Sequence, residues 1–509
     1  MLVQEKKSEL FSELMLIDLD TQRLNFSKST DKQIKLQLGQ FFTDPRIALF
    51  MSKMFEAHVP HVNLLDPGAG MGNLTAAVIT QICKRQNKPS NIEATVVELD
   101  KNLIQHLERT LEFCNRLCVI NNIKFHYNIV QDDFIDYGVS HLKSNSGLVF
   151  NMIITNPPYK KINSNSKTRL KLREVGIETT NLYTAFVAIA KRMLEQGGEL
   201  VAITPRSFCN GTYFRSFRED FLSDMRFKKI HLFKSRTDSF KDDEVLQENI
   251  IYHAIKDGIN NEVQISYSES IEDTGASHTI EYSKLVHPND ADRFIRILRD
   301  KADIQIKQTV EKITSSLNEL SINVSTGRVV DFRTASNLRN TPSENTVPLI
   351  YPAHFNNGFL RWPLPTINKP NAIALNESTL KLLVPKGYYV LVRRFSSNEE
   401  KKRIIPAIYD PTKFDADFVG FENHINYYHC NGQGIPLDLA KGLALYLNST
   451  IVDRYFRQFN GHTQVNVGDL RSLPYPTKAE LINMGLLFGD SFPNQQETDQ
   501  IVNTVLGIS

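Results

Sequence analysis

Residues 46–260 predict an α/β domain built on a mostly parallel, doubly wound sheet. Three observations carry that expectation. Short apolar runs alternate with stretches of helical period along the whole span. A glycine-rich turn, Gly68-Ala69-Gly70-Met71-Gly72, joins the first apolar run to a long helical one. Residues able to do chemistry then recur at the carboxyl ends of successive runs, the edge where ligands bind in such sheets.

The elements follow in order. Residues 46–58 read as an amphipathic helix, 62–65 as a strand, 74–85 as a helix, 94–99 as a strand and 101–117 as a helix. Strands at 124–129 and 148–155, a helix at 183–194 and a strand at 199–204 continue the pattern, as do 214–224, 229–233 and 250–255. Residues 1–35 read as a polar, helix-prone arm, and 36–305 as one domain. Beyond about residue 300 aromatic and turn residues accumulate, as in Tyr351-Pro352, Trp362-Pro363 and Pro385-Lys386-Gly387-Tyr388-Tyr389, and the strands become irregular. The boundary is placed between 300 and 320, with 320–509 a second domain of mixed α+β character.

At 509 residues the chain exceeds one ordinary core. Its 41% hydrophobic and 23% charged residues are ordinary for a globular protein. The five cysteines, Cys83, Cys114, Cys118, Cys209 and Cys430, form no Cys-x-x-Cys pair, which argues against a disulfide framework or a zinc knuckle. The 13 histidines are unclustered and suggest no metal site. The amino terminus lacks a signal peptide's apolar stretch, and no run approaches the roughly 18 residues of a membrane span, so a cytoplasmic location is expected.

Net charge is only +2 and gives no support by itself for a nucleic-acid partner. Local distribution says more. Residues 160–173 carry six basic side chains, Lys167, Arg169, Lys171 and Arg173 among them, and no acid. Arg393-Arg394 and Lys401-Lys402-Arg403 form a second cluster. Such runs are often plain solvated faces, but the first abuts the strand-end motif described next.

Asn156-Pro157-Pro158-Tyr159 directly follows the apolar run 148–155. The prolines fix φ and lack N–H groups, so the strand cannot continue. The Asn156 side-chain oxygen and the Pro157 carbonyl can then face one exocyclic amine, and Tyr159 offers a stacking face. The bland reading is a proline-terminated turn. Upstream, Asp66-Pro67 enters the glycine turn, but Asn73 stands where a dinucleotide fingerprint needs its third glycine, and no Lys-Ser/Thr pair suggests a P-loop. Glu98 ends the next run, where a carboxylate can accept from ribose hydroxyls. Asp132-Asp133-Phe134 ends the third, offering an acceptor beside an aromatic. Each acid alone is as readily a helix cap. Their order along the chain favours a nucleoside pocket.

These residues, with Gly39-Gln40-Phe41-Phe42-Thr43, resemble the class I S-adenosylmethionine-dependent methyltransferases. The specific likeness is to the gamma-order N6-adenine DNA methyltransferases. The wider layout resembles the modification enzymes of Type II restriction-modification systems, of the Eco57I and PstI-like sort. It is carried by residues 176–183, Pro205-Arg206-Ser207-Phe208-Cys209-Asn210-Gly211 and 240–249. The resemblance implies S-adenosylmethionine contacts at Gln40, Phe42, Thr43, Asp66, Gly68, Gly70, Glu98, Asp133 and Phe134, and catalysis at Asn156, Pro157, Pro158 and Tyr159. It implies a flipped-out adenine in double-stranded DNA as acceptor, a separate restriction endonuclease as functional partner, and no membrane. Phe240 would supply the second stacking face, unless it is a core residue, while Lys167, Arg169, Lys171 and Arg173 would meet DNA phosphates.

Residues 442–476 resemble the closing segment of target-recognition domains. Arg333, Arg393, Arg394, Arg454 and Arg457 are candidates for guanine or phosphate contacts. The same fold also accommodates N4-cytosine or an RNA or protein amine as acceptor, or a non-catalytic recognition subunit. No Pro-Asp…Asp/Glu-x-Lys constellation points to a fused nuclease.

Overall fold

A computed structural model describes residues 11, 15, 17–26, 42–144, 149–233, 248–259, 261–268, 273, 275–396, 400–461, 463–489 and 491–508. The chain divides into two compact units, Met1–Arg299 and Asp300–Ser509. The division falls earlier than the domain ending at 305 that the sequence predicts, because the helix Lys301–Val310 belongs to the second unit.

After helical residues 17–26, the first unit continues with α1 (Pro45–Ser52), with Asp44 as N-cap accepting from the Arg46 N–H and proline in the first turn. Then follow β1 (His61–Pro67), α2 (Asn73–Lys84), β2 (Asn91–Val97), α3 (Lys101–Ile120) and β3 (Lys124–Val130). Next come α4 (Phe134–Ser144), β4 (Phe150–Thr155), α5 (Lys167–Glu174), α6 (Leu182–Met193) and β5 (Leu194–Pro205). The unit continues through α7 (Arg215–Asp224), β6 (Met225–Phe233), β7 (Asn249–Lys256), β8 (Glu262–Ser268) and β9 (Ala276–Glu281).

Among the described residues these strands form one nine-stranded sheet, ordered β3-β2-β1-β4-β5-β7-β6-β8-β9. From β3 to β5 every pairing is parallel, and β7 enters antiparallel to both β5 and β6. The chain leaves β1 toward β2 and β3, then returns to place β4 on the other flank of β1. That reversal opens a crevice beyond the carboxyl ends of β1 and β4. Every residue of β4 is buried, so its sequence shows no alternation.

The sequence expectation lacks two helices of the first unit, α4 and α5. In α4, Gly138 interrupts the helical pattern, yet a Cβ there would lie 2.3 Å from the Ile189 side chain of α6. The glycine serves close helix packing. In α5, a segment read as a charged run folds behind the Ser166 N-cap. Residues 17–26 of the amino-terminal arm are helical, and Met15 and Leu19 are buried in the first unit's core with Ile47, Met51 and Leu107.

The second unit holds a four-stranded sheet of Asn323–Thr326, Ile425–His429, Tyr389–Arg393 and Pro406–Tyr409, in that order. A five-stranded sheet includes Thr346–Ile350 and Phe418–Phe421, paired in parallel. Helices Leu437–Asn448 and Lys478–Leu486 approach through glycines: a Cβ on Gly442 would lie 1.7 Å from the Leu481 carbonyl oxygen, and one on Gly485 1.9 Å from that of Asp438.

Candidate active site

The glycine turn after β1 is folded by left-handed backbone at Gly68, Gly70 and Gly72, with φ of 75°, 59° and 86°. The Gly68 and Ala69 N–H groups both donate to the Val97 carbonyl at 2.9 Å, which ties the turn to the end of β2. Glu98 completes the tie. One of its carboxylate oxygens accepts from the Gly70 N–H at 2.7 Å and the other from the Asp100 N–H at 2.7 Å. Burial raises its carboxyl above the ordinary value, against those backbone hydrogen bonds. A carboxylate has about four acceptor sites, so Glu98 keeps capacity for a ligand hydroxyl beside these backbone bonds.

A cavity opens here, lined by Phe42, Gly68, Gly70, Val97, Glu98, Leu99, Leu103, Asp132, Asp133, Phe134, Asn156, Pro158, Leu182 and Phe186. It collects residues from the ends of β1, β2, β3 and β4, the crevice that the strand order creates. Apolar walls with three carboxylates, Glu98, Asp132 and Asp133, suit a nucleoside-bearing cofactor of S-adenosylmethionine's kind. Asp133 accepts from the Ile135 N–H at 2.8 Å and so starts α4 as well as facing the cavity. Phe134 is buried and packs on Phe186, ring centroids 4.9 Å apart. Phe186, Leu99, Leu103 and Leu182 were not legible as site residues, because each reads as ordinary helix or strand-end packing.

Of the expected catalytic group, Asn156 and Pro158 line the cavity. Thr155 anchors them by donating to the Pro67 carbonyl at 3.1 Å, so the ends of β4 and β1 are held together. Asn156 donates through Nδ2 to Thr43 Oγ1 at 3.0 Å. The Tyr159 hydroxyl has two acceptors within reach, Asn156 Oδ1 at 3.2 Å and the Ile203 carbonyl at 3.3 Å. Burial holds that hydroxyl well above its ordinary 10, with the nearby Tyr252 adding to the shift, so at neutral pH it is a donor and not a base. Pro157 is buried and does not line the cavity.

Several expected site residues stand elsewhere. Asp66 is fully buried and does not line the cavity. One of its oxygens accepts from the Thr75 hydroxyl at 2.7 Å and the Thr75 N–H at 3.2 Å, anchoring the first turn of α2, whose N-cap Gly72 has no side chain to do so. Thr43 lies off the cavity wall, its hydroxyl engaged by Asn156 and its carbonyl by Asn73 Nδ2 at 2.8 Å. Gln40 and Phe240 lie outside the described residues.

Three of the six cations in the basic run are engaged by acids. Arg169 and Arg173 both pair with Glu178, and Lys171 pairs with Asp136. Lys161 and Lys167 are exposed, and among the described residues no ion pair involves them. In the second unit Arg454 pairs with Asp300 and Asp303, and Arg457 with Asp453, so neither presents a free guanidinium. Arg393 lies 3.6 Å from Glu400 and Arg394 donates to the Asn423 carbonyl at 3.2 Å. The Arg333 guanidinium lies over the exposed Phe332 ring.

Residues 46–240 match the family model described as the Eco57I restriction-modification methylase. The chain is 41% identical over 493 residues to the Type II methyltransferase M.PstI of Providencia stuartii, spanning 96% of each protein. The chain belongs to the Type II restriction-modification methyltransferases. Similarity to M.BsuBI of Bacillus subtilis is 43% over 482 residues, 93% of this chain and 94% of that one. Among solved structures, the Type IIL restriction-modification enzyme MmeI aligns with a TM-score of 0.54 at 12% identity, covering 88% of this chain and 70% of that chain. The expected class I S-adenosylmethionine-dependent methyltransferase fold is therefore the fold of this family member's first unit. Among the described residues no helix is long and apolar enough to cross a membrane.

Proposed function

We propose that this chain transfers a methyl group from S-adenosylmethionine to N6 of a flipped-out adenine in duplex DNA, as the modification partner of a separate restriction endonuclease. One observation carries the reading: Asn156 and Pro158, at the end of β4, share a single cavity with Glu98 and Asp133. An amine acceptor and a nucleoside site thus stand side by side. Relatives named as Type II methyltransferases support the reading.

When bound, the cofactor supplies an electrophilic sulfonium methyl; Glu98 would hold its ribose, Asp133 and Phe134 its adenine, and the Gly68–Gly70 turn its methionine end. The protein's own part is alignment. Asn156 Oδ1 and the Pro157 carbonyl accept the two amine hydrogens of the target base, which localises the nitrogen lone pair and turns it toward the methyl group. As an acceptor, Asn156 Oδ1 gives up the Tyr159 hydroxyl, which has the Ile203 carbonyl 3.3 Å away to turn to. The extra proton on nitrogen becomes acidic only after transfer, so no strong base is needed beforehand. Extruding the base costs a few kcal/mol, and stacking on Tyr159 returns roughly 1–3 kcal/mol. The second unit is assigned to target recognition.

The test is sequencing of modified bases in DNA from cells expressing the chain, with Asn156→Ala as control. N6-methyladenine within one short sequence, absent in the control, is expected. N4-methylcytosine as the product, or unmodified DNA, overturns the reading.

A further inference from the structure

Thr43 is assigned to cofactor binding by resemblance, yet its side chain is not on the cavity wall. Its hydroxyl oxygen accepts from Asn156 Nδ2 at 3.0 Å, and its carbonyl accepts from Asn73 Nδ2 at 2.8 Å. Asn73 is buried and opens α2, directly after the glycine turn. Thr43 itself is buried and immediately precedes Asp44, the N-cap of α1. The three residues link the glycine turn, through Thr43, to the acceptor end of β4.

We infer that Thr43 is a positioning residue for methyl transfer: its hydroxyl holds the Asn156 amide so that Oδ1 faces the target amine. An asparagine side chain can present oxygen or NH2 to the same place by a half-turn about its last bond. Only the oxygen can accept from an exocyclic amine. Engaging Nδ2 at Thr43, with Oδ1 on the side of the Tyr159 hydroxyl, selects the productive face before substrate arrives. This preorganisation spares a rotation at the moment of reaction. It also gives Asn73 a use. The amide that replaces the third glycine of a dinucleotide fingerprint fixes the backbone from which Thr43 reaches Asn156.

The inference rests on the methyltransferase reading, and its test separates the two. Thr43→Val keeps the shape and removes the acceptor; Thr43→Ser restores the acceptor. Single-turnover methylation at saturating S-adenosylmethionine should fall roughly 10- to 100-fold in Thr43→Val and recover to within a few-fold of wild type in Thr43→Ser. Cofactor affinity by calorimetry should stay within about threefold in both. Parallel loss of affinity and rate in Thr43→Val would make Thr43 a cofactor contact and overturn the inference, as would an unchanged rate. A crystal structure of Thr43→Val gives an answer that needs no activity. A reoriented or disordered Asn156 side chain is expected, and an unmoved one overturns the inference even if the acceptor proves to be another amine.

Discussion

Replacing Asp66 by Asn should make the first unit's stability respond differently to pH. Burial, with the Glu98 charge adding, pushes the Asp66 carboxyl from 3.8 to about 7, against the Thr75 hydrogen bonds that lower it. Between those values the folded chain holds a proton that the unfolded chain has released. The stability contributed by this group is therefore fully present below about pH 4 and is lost as pH rises toward 7. At about 1.4 kcal/mol per pH unit the whole loss is about 4 kcal/mol, of which about 2–3 kcal/mol falls between pH 5 and pH 8.5. Asparagine keeps the acceptor for Thr75 and cannot titrate. Its Nδ2 takes the place of Oδ1, which has no hydrogen-bond partner among the described residues, and adds a cost of about 1–3 kcal/mol at every pH. That offset cancels in the comparison. The stability of Asp66→Asn relative to wild type should improve by about 2–3 kcal/mol between pH 5 and pH 8.5. Urea unfolding reads it: the chain has a single tryptophan, and because this is Trp362 its fluorescence follows the second unit. A circular-dichroism transition that Trp362 does not track belongs to the first. Equal offsets at both pH values would refute a buried, titrating Asp66.

Four further outcomes are expected. Asn156→Ala should abolish methyl transfer with S-adenosylmethionine affinity within a few-fold of wild type, whereas Gly70→Val, which forces a β-branched residue to a φ of 59°, should lose the cofactor; equal losses by calorimetry would refute this division. Replacing Lys161 and Lys167 by Ala should weaken binding to all duplexes and shallow the log-log salt slope by up to about 0.9 for each phosphate no longer neutralised, while Arg173→Ala, already paired with Glu178, should leave it unchanged. Gly442→Ala, whose Cβ would meet the Leu481 carbonyl at 1.7 Å, should cost the second unit about 3 kcal/mol or more, read by Trp362 fluorescence; an unshifted midpoint would show the helix pair to be adjustable. Exchanging residues 320–476 with those of a close relative should switch the methylated sequence and keep the methylated atom; a retained original sequence would move recognition to the first unit.

Strand and helix alternation, the glycine turn and the Asn156–Tyr159 strand end are all legible in the linear chain. Periodicity, proline and left-handed glycine are local properties that a residue-by-residue reading captures. The acids at strand ends are legible too, but not what each carboxylate does there. Only the sheet order, with β4 beside β1, makes Glu98, Asp133 and Asn156 share one cavity. The same holds for Thr43 and Asn156, which stand 113 residues apart in the chain and 3.0 Å apart in space. The ion pairing within the basic run is hidden in the linear chain for a related reason. The acids that pair with it, Glu178 and Asp136, lie outside the window that defines the run, and only packing brings them to Arg169, Arg173 and Lys171. Asp66 looked like a ligand residue because it adjoins the glycine turn. The fold commits one of its oxygens to Thr75, because a helix that begins on glycine has no side chain to satisfy its own first turn.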